Sequence, residues 1–437
     1  MNYIDRIKNG GVVGCGGAGF PAHVKAASKV EYVIANGAEC EPLLHKDLEL
    51  MIYEPEAVVS GLIQWLVSTG SKKALLGVKK KNEEHLFGIK KAAENTGIEL
   101  RWSGDYYPTG DEYVLVYETT KRLIPPQGIP LDVGIVVNNV ETLRNAYMAS
   151  EGIPVTDKYV SIVGAVKNPC TFKVPIGLSY AEAIAAAGGA TVSEFAVFVS
   201  GIMMGKLETD MSQPITKTCA GLVVLPTNHR LVKRKSLTES SMHRIGKSAC
   251  DQCSYCTEFC PRYLLGYDVQ PHKVMRSLGF TVTGEAIWNQ YAQLCCACGL
   301  CTLYACPEEL YPKEACDKAK ADLRDKGIKW SGKKEVRVHP LIHGRHVPLK
   351  QLVKKLGIAD YDAPAHFVDI KFSPKLVRIP LSQHIGLSAI PVVEVGKEVK
   401  SGQLIGDIPA GKLGARIHAS IDGVVTKIDA EIVIAKI

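Results

Sequence analysis

No stretch of this chain approaches the roughly 18 consecutive apolar residues that a transmembrane helix needs; the longest weakly polar run, Ala57 to Val67, stops well short. A soluble protein is expected. An apolar leader is also missing, since residues 1–10 are polar, which points to a reducing, cytoplasmic setting where disulfides do not accumulate. Nor is there a basic stripe. The net charge is +7, and the Lys and Arg residues are scattered rather than interleaved with aromatics, so nucleic-acid binding is not expected. The densest basic run, Lys79-Lys80-Lys81, is followed at once by Asn82-Glu83-Glu84 and reads as the solvated start of a helix.

Cysteine breaks this even distribution. Nine of the 14 cysteines fall between Cys250 and Cys306, and eight of them form two near-copies of one spacing. The first, Cys250-x2-Cys253-x2-Cys256-x3-Cys260-Pro261, is the run that holds [4Fe–4S] clusters in bacterial two-cluster ferredoxins. The second, Cys295-x2-Cys298-x2-Cys301-x4-Cys306-Pro307, has one residue more before its last cysteine and an extra thiol, Cys296, inside the loop. In that pattern three thiolates of a run wrap one cluster while the fourth reaches the other. Cys250, Cys253, Cys256 and Cys306 are therefore expected to hold one [4Fe–4S] cluster, and Cys295, Cys298, Cys301 and Cys260 the second. Spacing leaves Cys296 open as a replacement for Cys295. Zinc also uses Cys-x2-Cys pairs, but four thiolates suffice for it, and two runs closed by Cys-Pro exceed that need. The other thiols, Cys15, Cys40, Cys170, Cys219 and Cys316, read as buried or spare.

The length of 437 residues suits about three globular domains, and the run pattern divides the chain into four modules. Residues 1–150 alternate β-branched runs (Tyr32–Ala35, Ala74–Val78, Gly134–Val137) with helical stretches, an α/β layer pattern. Residues 151–232 read as a small α+β module, with strands near Val160–Val163, Ala196–Ser200 and Gly221–Leu225 and a helix at Tyr180–Ala187. The polar, basic stretch 233–249 reads as a linker leading into a helical, ferredoxin-like two-cluster domain at 240–330. From 336 to 437, short apolar runs broken by Gly and Pro indicate a compact β module.

A second chemical signal is Gly14-Cys15-Gly16-Gly17-Ala18-Gly19-Phe20-Pro21. It contains Gly-x-Gly-x-x-Gly, but a dinucleotide fingerprint must follow a strand, and only Val12-Val13 precedes it. What the residues support is local: glycine backbone lets amide N–H groups approach an anion, and Pro21 starts a helix whose N-terminus favours phosphate, with Lys25 one turn in.

Three further segments, Asn36-Gly37-Ala38-Glu39-Cys40-Glu41-Pro42, Tyr107-Pro108-Thr109-Gly110-Asp111-Glu112 and Val137-Asn138-Asn139-Val140-Glu141-Thr142-Leu143, complete a resemblance. With the glycine loop, and in the same order, they resemble the flavin-site segments of the NADH-oxidising flavoprotein of respiratory complex I and of its relative, the RnfC protein of the Rnf complex. The resemblance implies FMN held by Gly14, Gly16, Gly17, Gly19, Lys25, Asn36, Glu39, Gly110, Asp111, Glu112, Asn138, Asn139 and Thr142. It places Phe20 and Glu41, together with Glu39, toward NADH. Ala38 stands where the respiratory flavoproteins carry an acid. Asn138-Asn139-x-x-Thr142 also reads as a helix cap, with Glu141 three residues after Asn138. Redox logic favours a hydride donor, because clusters take electrons singly and a flavin converts a pair into single electrons.

The same family accounts for the rest. Residues from Val160 to about Val232 resemble its soluble-ligand-binding β-grasp module. Ile379–Gly386, Val399–Gln403 and Ile417–Gly423 resemble its barrel-sandwich, lipoyl-like module. Lys412 lacks the Asp-Lys-Ala context of a lipoylated lysine and reads as a surface residue; His384, His418 and the group His339, His343 and His346 read as structural or exposed. The flavin motif comes first here and the barrel-sandwich module last, an order similar to the cobalamin reductases of propanediol-utilisation microcompartments. That resemblance implies an FMN and two-cluster oxidoreductase passing electrons from NADH to cobalamin inside a cytoplasmic bacterial microcompartment. An adenosyltransferase and microcompartment shell or enzyme proteins are the partners it implies. Two other readings stay open: an Rnf-like NADH:ferredoxin component of a membrane complex, and an electron-relay scaffold whose flavin does not turn over.

Overall fold

The computed structural model describes residues 1–279 and 288–437. The first module is built on β1 (Tyr32–Gly37), β2 (Lys73–Lys79) and β3 (Ile98–Ser103); a two-residue β4 (Tyr106–Tyr107) pairs elsewhere, and β5 (Ile135–Asn139) completes a parallel sheet in the order β3-β2-β1-β5. Val33, Ile34, Leu75, Leu76, Ile135 and Val136 are fully buried, as strands covered on both faces must be. The apolar run Ala57–Val67 lies in the helix Pro55–Thr69, which starts on proline and stops where Gly70 turns left-handed at φ 66°. Gly61 lets this helix press on the helix Val140–Ser150, because a Cβ there would lie 2.2 Å from the Leu143 carbonyl. Strand order turns around at β1, so the carboxyl ends of β1 and β5 flank a crevice of the kind where open α/β sheets bind ligands.

The second module holds β6 (Asp157–Gly164), β7 (Cys170–Pro175), β8 (Phe195–Val199), β9 (Lys206–Glu208) and β10 (Gly221–Pro226) in the order β7-β6-β10-β8-β9, with the helix Tyr180–Ala186 against it. Residues 233–249 are not an extended linker. They form parts of two helices, Arg230–Lys235 and Glu239–Ala249; Thr238 caps the second by accepting the Ser241 N–H, so its polar start is a capping signal. Lys79 likewise departs from the solvated reading: it ends β2, is 2% exposed and pairs with Asp105 at 3.0 Å. The cysteine module is a set of short helices (Tyr255–Glu258, Pro261–Leu264, Pro271–Ser277) and the longer Pro312–Asp325.

The last module begins at β11 (Val347–Pro348), which pairs with β4, and continues as β12 (Leu376–Pro380), β13 (Ile390–Pro391), β14 (Glu398–Val399), β15 (Leu404–Asp407), β16 (Ile417–His418), β17 (Gly423–Ile428) and β18 (Glu431–Ala435). Its two sheets, β12-β18-β17-β14 and β13-β15-β16, share a core of Val377, Ile379, Ile405, Val425 and Ile434 that runs on into the first module. Three modules meet at Lys217, whose buried Nζ donates to the carbonyls of Gly11 and Arg416, both at 2.7 Å. Among the described residues no helix is long and apolar enough to cross a membrane.

Candidate functional site

The glycine loop is preceded by the helix Tyr3–Asn9 rather than a strand. It closes on itself through Gly14 N–H to the Phe20 carbonyl, 2.9 Å, and is tied to the helix Val140–Ser150 by Cys15 N–H to Thr142 Oγ1, 2.9 Å. Gly16 and Gly17 remain exposed; a Cβ on Gly16 would approach that of Asn139 to 3.2 Å, while Gly17 faces open space. Gly19 adopts φ 74° beneath the last module, where Ile385 N–H donates to its carbonyl at 3.3 Å.

The other segments converge on the β1/β5 crevice. Register pairs Ala35 with Asn138 and Asn36 with Asn139, so all three asparagines end adjacent strands. Asn36 Nδ2 donates to the Gly110 carbonyl at 2.9 Å and its Oδ1 accepts the Ala38 N–H, clamping the segment from Tyr107 to Glu112 onto the strand end. Gly110 admits no side chain, since a Cβ would lie 2.5 Å from the Ala38 carbonyl. Lys25 lies in the short helix Ala22–Ala26, donates to the Val137 carbonyl at 3.0 Å and pairs with Glu112 at 3.6 Å, which holds its ammonium at the end of β5. Asn139 is the helix cap, accepting the Glu141 N–H at 3.0 Å. Glu141 is no capping-box partner: it is buried between Lys46 and Lys158 and accepts the Tyr159 N–H, joining the first module to β6. Asn138 is 5% exposed, and its Nδ2 has no hydrogen-bond partner among the described residues. A buried amide left so is costly unless a ligand accepts from it.

Three residues are engaged in ways the sequence did not suggest. Asp111 caps the helix Glu112–Thr120 and is gripped by Arg262 of the cysteine module. Glu41 accepts the N–H groups of Met203 and Met204, at 3.1 and 2.9 Å, from the second module; burial pushes its carboxyl up to about 7. Glu39 accepts the Asp47 N–H at 3.2 Å, and burial, then the nearby Asp47 charge, push it up to about 8. Phe20 is half-buried beside the loop.

The thiols of the two runs lie near one another. Cys256 is within electrostatic reach of Cys306, Cys250 and Cys253. Cys260 faces Cys296 and Cys295, and Cys301 faces Cys295, Cys256 and Cys260. The extra residue before Cys306 is taken up by one π-helical turn, Cys301–Ala305, so Cys306 still arrives beside the first run. Cys295 Sγ accepts the Ala297 N–H at 3.3 Å, and Cys296 packs against Cys298. Among the described residues, two contacts join this module to the flavin-site segment: Arg262, two residues after Cys260, forks onto Asp111, and the Tyr107 hydroxyl donates to the Cys298 carbonyl at 2.7 Å.

Comparison with known proteins accords with this layout. Cobalamin reductase PduS of Salmonella typhimurium is 38% identical over 428 residues, covering 98% of this chain and 94% of that protein. The PduS protein of Citrobacter freundii is 37% identical over 97% of this chain and 94% of its own length. The chain belongs to the cobalamin reductase PduS family. Within it, residues 7–148 match the Nuo51 FMN-binding domain, 159–205 the SLBB domain, 249–311 the 4Fe-4S dicluster domain and 364–436 the RnfC barrel sandwich hybrid domain. A partial relative is the C component of the proton-translocating ferredoxin:NAD(+) oxidoreductase complex of Clostridium ljungdahlii, 34% identical over 59% of this chain and 55% of that protein. This PduS-family chain is an oxidoreductase built from an FMN-binding domain and a [4Fe–4S] dicluster domain.

Proposed function

We propose that this chain passes electrons from NADH through FMN and two [4Fe–4S] clusters to cobalamin. The carrying observation is the bonding of one flavin-site segment to the cysteine module: Tyr107 reaches the Cys298 loop and Asp111 reaches Arg262 beside Cys260. The likeness over nearly the full chain to proteins named cobalamin reductase supports the acceptor. When bound, FMN would accept a hydride and release its electrons singly, as clusters require. The exposed amides of the glycine loop, Lys25 and the unpartnered Asn138 Nδ2 would hold it at the β1/β5 crevice, with Asn36, Asn139 and Thr142 shaping the walls. Glu39, Glu41 and Phe20 form the side assigned to NADH.

Cys298 and Cys260 neighbour the bonds to the flavin-site segment, and Cys253 of the other quartet is exposed, which favours entry at the former and exit at the latter. One NADH carries two electrons and each Co(II) to Co(I) step takes one, so one donor serves two corrinoids. That step is uphill from NADH, and an adenosyltransferase consuming Co(I) would pull it forward. Anaerobic NADH-dependent formation of adenosylcobalamin, with ATP and such a transferase, tests the reading. Wild type should be active and Cys256→Ala nearly inactive. Full activity in the variant would mean that flavin alone reduces the corrinoid, and a wild type that reduces ferredoxin rapidly but forms no adenosylcobalamin would support the Rnf-like reading instead.

A further inference from the structure

His339, His343 and His346 lie close together in the sequence between the cysteine module and β11, but the structure separates them. His339 Nδ1 accepts the Leu341 N–H at 3.2 Å, and its ring rests against Tyr263. His343 and His346 flank a single 3-10 turn, ring centroids 5.6 Å apart and edge to face, and both approach Glu118 in the last turn of the helix Glu112–Thr120. One ligand atom from each of the three lies within 4.8 Å of the others. His346 is stacked on Tyr106, centroids 3.8 Å apart and planes inclined by 10°, so packing fixes its ring. Tyr106 is 8% exposed, and its hydroxyl, in the neighbourhood of Glu118, makes no hydrogen bond of good geometry among the described residues. The adjacent Arg345 is turned away, donating to Glu258 at 2.6 Å, while the exposed Lys121, 3.4 Å from Glu118, is the competing cation.

We propose that Glu118, His343 and His346 form a Zn2+ site that fastens the segment ahead of β11 to the flavin-binding module. Two imidazoles and a carboxylate suit zinc, which takes such ligands at about 2.0–2.2 Å in tetrahedral geometry with water in an open fourth position. That geometry spaces ligand atoms about 3.4 Å apart; the exposed His343, free to change rotamer, closes the remaining gap. The ligands come from helix and connector segments far apart in sequence, so the ion would cross-link them, reinforcing the β11–β4 pairing next to it. Neither half binds alone: a His-x2-His turn supplies two donors, and Glu118 the third.

The test uses flavin- and cluster-loaded protein, so that the cysteines are occupied, stripped with EDTA and titrated with Zn2+ against a competing chromophoric chelator. Wild type should bind one zinc per chain with its iron content unchanged. His343→Ala, an exposed position whose loss leaves the core intact, and Glu118→Gln should each weaken binding tenfold or more. Zinc-edge absorption should report nitrogen and oxygen neighbours with an imidazole signature. Sulfur neighbours, iron lost as zinc is gained, equal zinc retention in both variants, or no stoichiometric zinc in wild type would each overturn the proposal.

Discussion

Arg262 holds Asp111 as a fork holds a carboxylate, Nη1 to Oδ1 at 2.6 Å and Nη2 to Oδ2 at 3.1 Å, while its guanidinium lies over the Tyr113 ring at 3.7 Å. Both side chains are largely buried, 8% and 14% exposed. Removing one partner of such a pair leaves a buried charge without compensation, a loss of about 3–5 kcal/mol. Arg262→Met and Asp111→Asn should each destabilise the chain on that scale, and the double variant by much less than the sum. Anaerobic denaturant unfolding of all four proteins measures the cycle; strictly additive losses would show that the two do not act as a pair. Arg262→Lys should recover part of the stability, since lysine cannot reproduce the fork.

Lys25 bears on flavin affinity. Its ammonium is held at the end of β5 by the Val137 carbonyl and Glu112. A charge-assisted hydrogen bond to a phosphate is worth about 1.5–3 kcal/mol, so Lys25→Met should lower FMN affinity roughly tenfold to a hundredfold. Flavin fluorescence after dilution reads the dissociation constant, and unchanged retention would confine Lys25 to a structural tie.

Burial lowers Lys217 from 10.5 to about 7. A neutral amine has two N–H groups, matching the two carbonyls that receive them, Gly11 and Arg416. The unfolded chain keeps this proton over a pH range where the folded chain does not. The group's contribution to stability is therefore full above about pH 10.5 and lost as pH falls through about 7. Lys217→Met should flatten this slope, so the melting-temperature advantage of wild type over the variant should shrink as pH drops from 10 toward 6. A constant difference across the range would show that Lys217 keeps its proton in the fold.

The cysteine module predicts an iron count. Reconstituted protein should carry about eight irons, two cubane clusters' worth. Cys256→Ala should remove about half, and Cys296→Ala none, since the Cys-x2-Cys-x2-Cys spacing of the second run starts at Cys295. Loss of a cluster in Cys296→Ala with Cys295→Ala intact would exchange their roles.

Local signals carried well from sequence to structure. The parallel strands at Tyr32, Ala74 and Ile135 follow from β-branched runs. Contacts between modules did not carry. Nothing adjacent to Asp111 announces Arg262, and nothing near Glu41 announces the amides of Met203 and Met204, because such partners are chosen by how whole modules pack. The stretch 233–249 misread for a related reason: its polarity resembles a linker, whereas Thr238 starts a helix whose Met242 and Gly246 turn inward. Likewise Glu118, in the flavin-binding module, lies far in sequence from the histidines it meets.

The contact between Gly19 and Ile385 has a temporal side. The segment that covers the glycine loop is made more than 360 residues after it, a delay of roughly 20–70 s at about 5–20 residues per second. Until then the Gly19 carbonyl lacks the N–H that it accepts in the complete fold. The glycine loop therefore reaches its final form only after the last module is made, and cofactor capture is expected to follow the folding of that module rather than precede it.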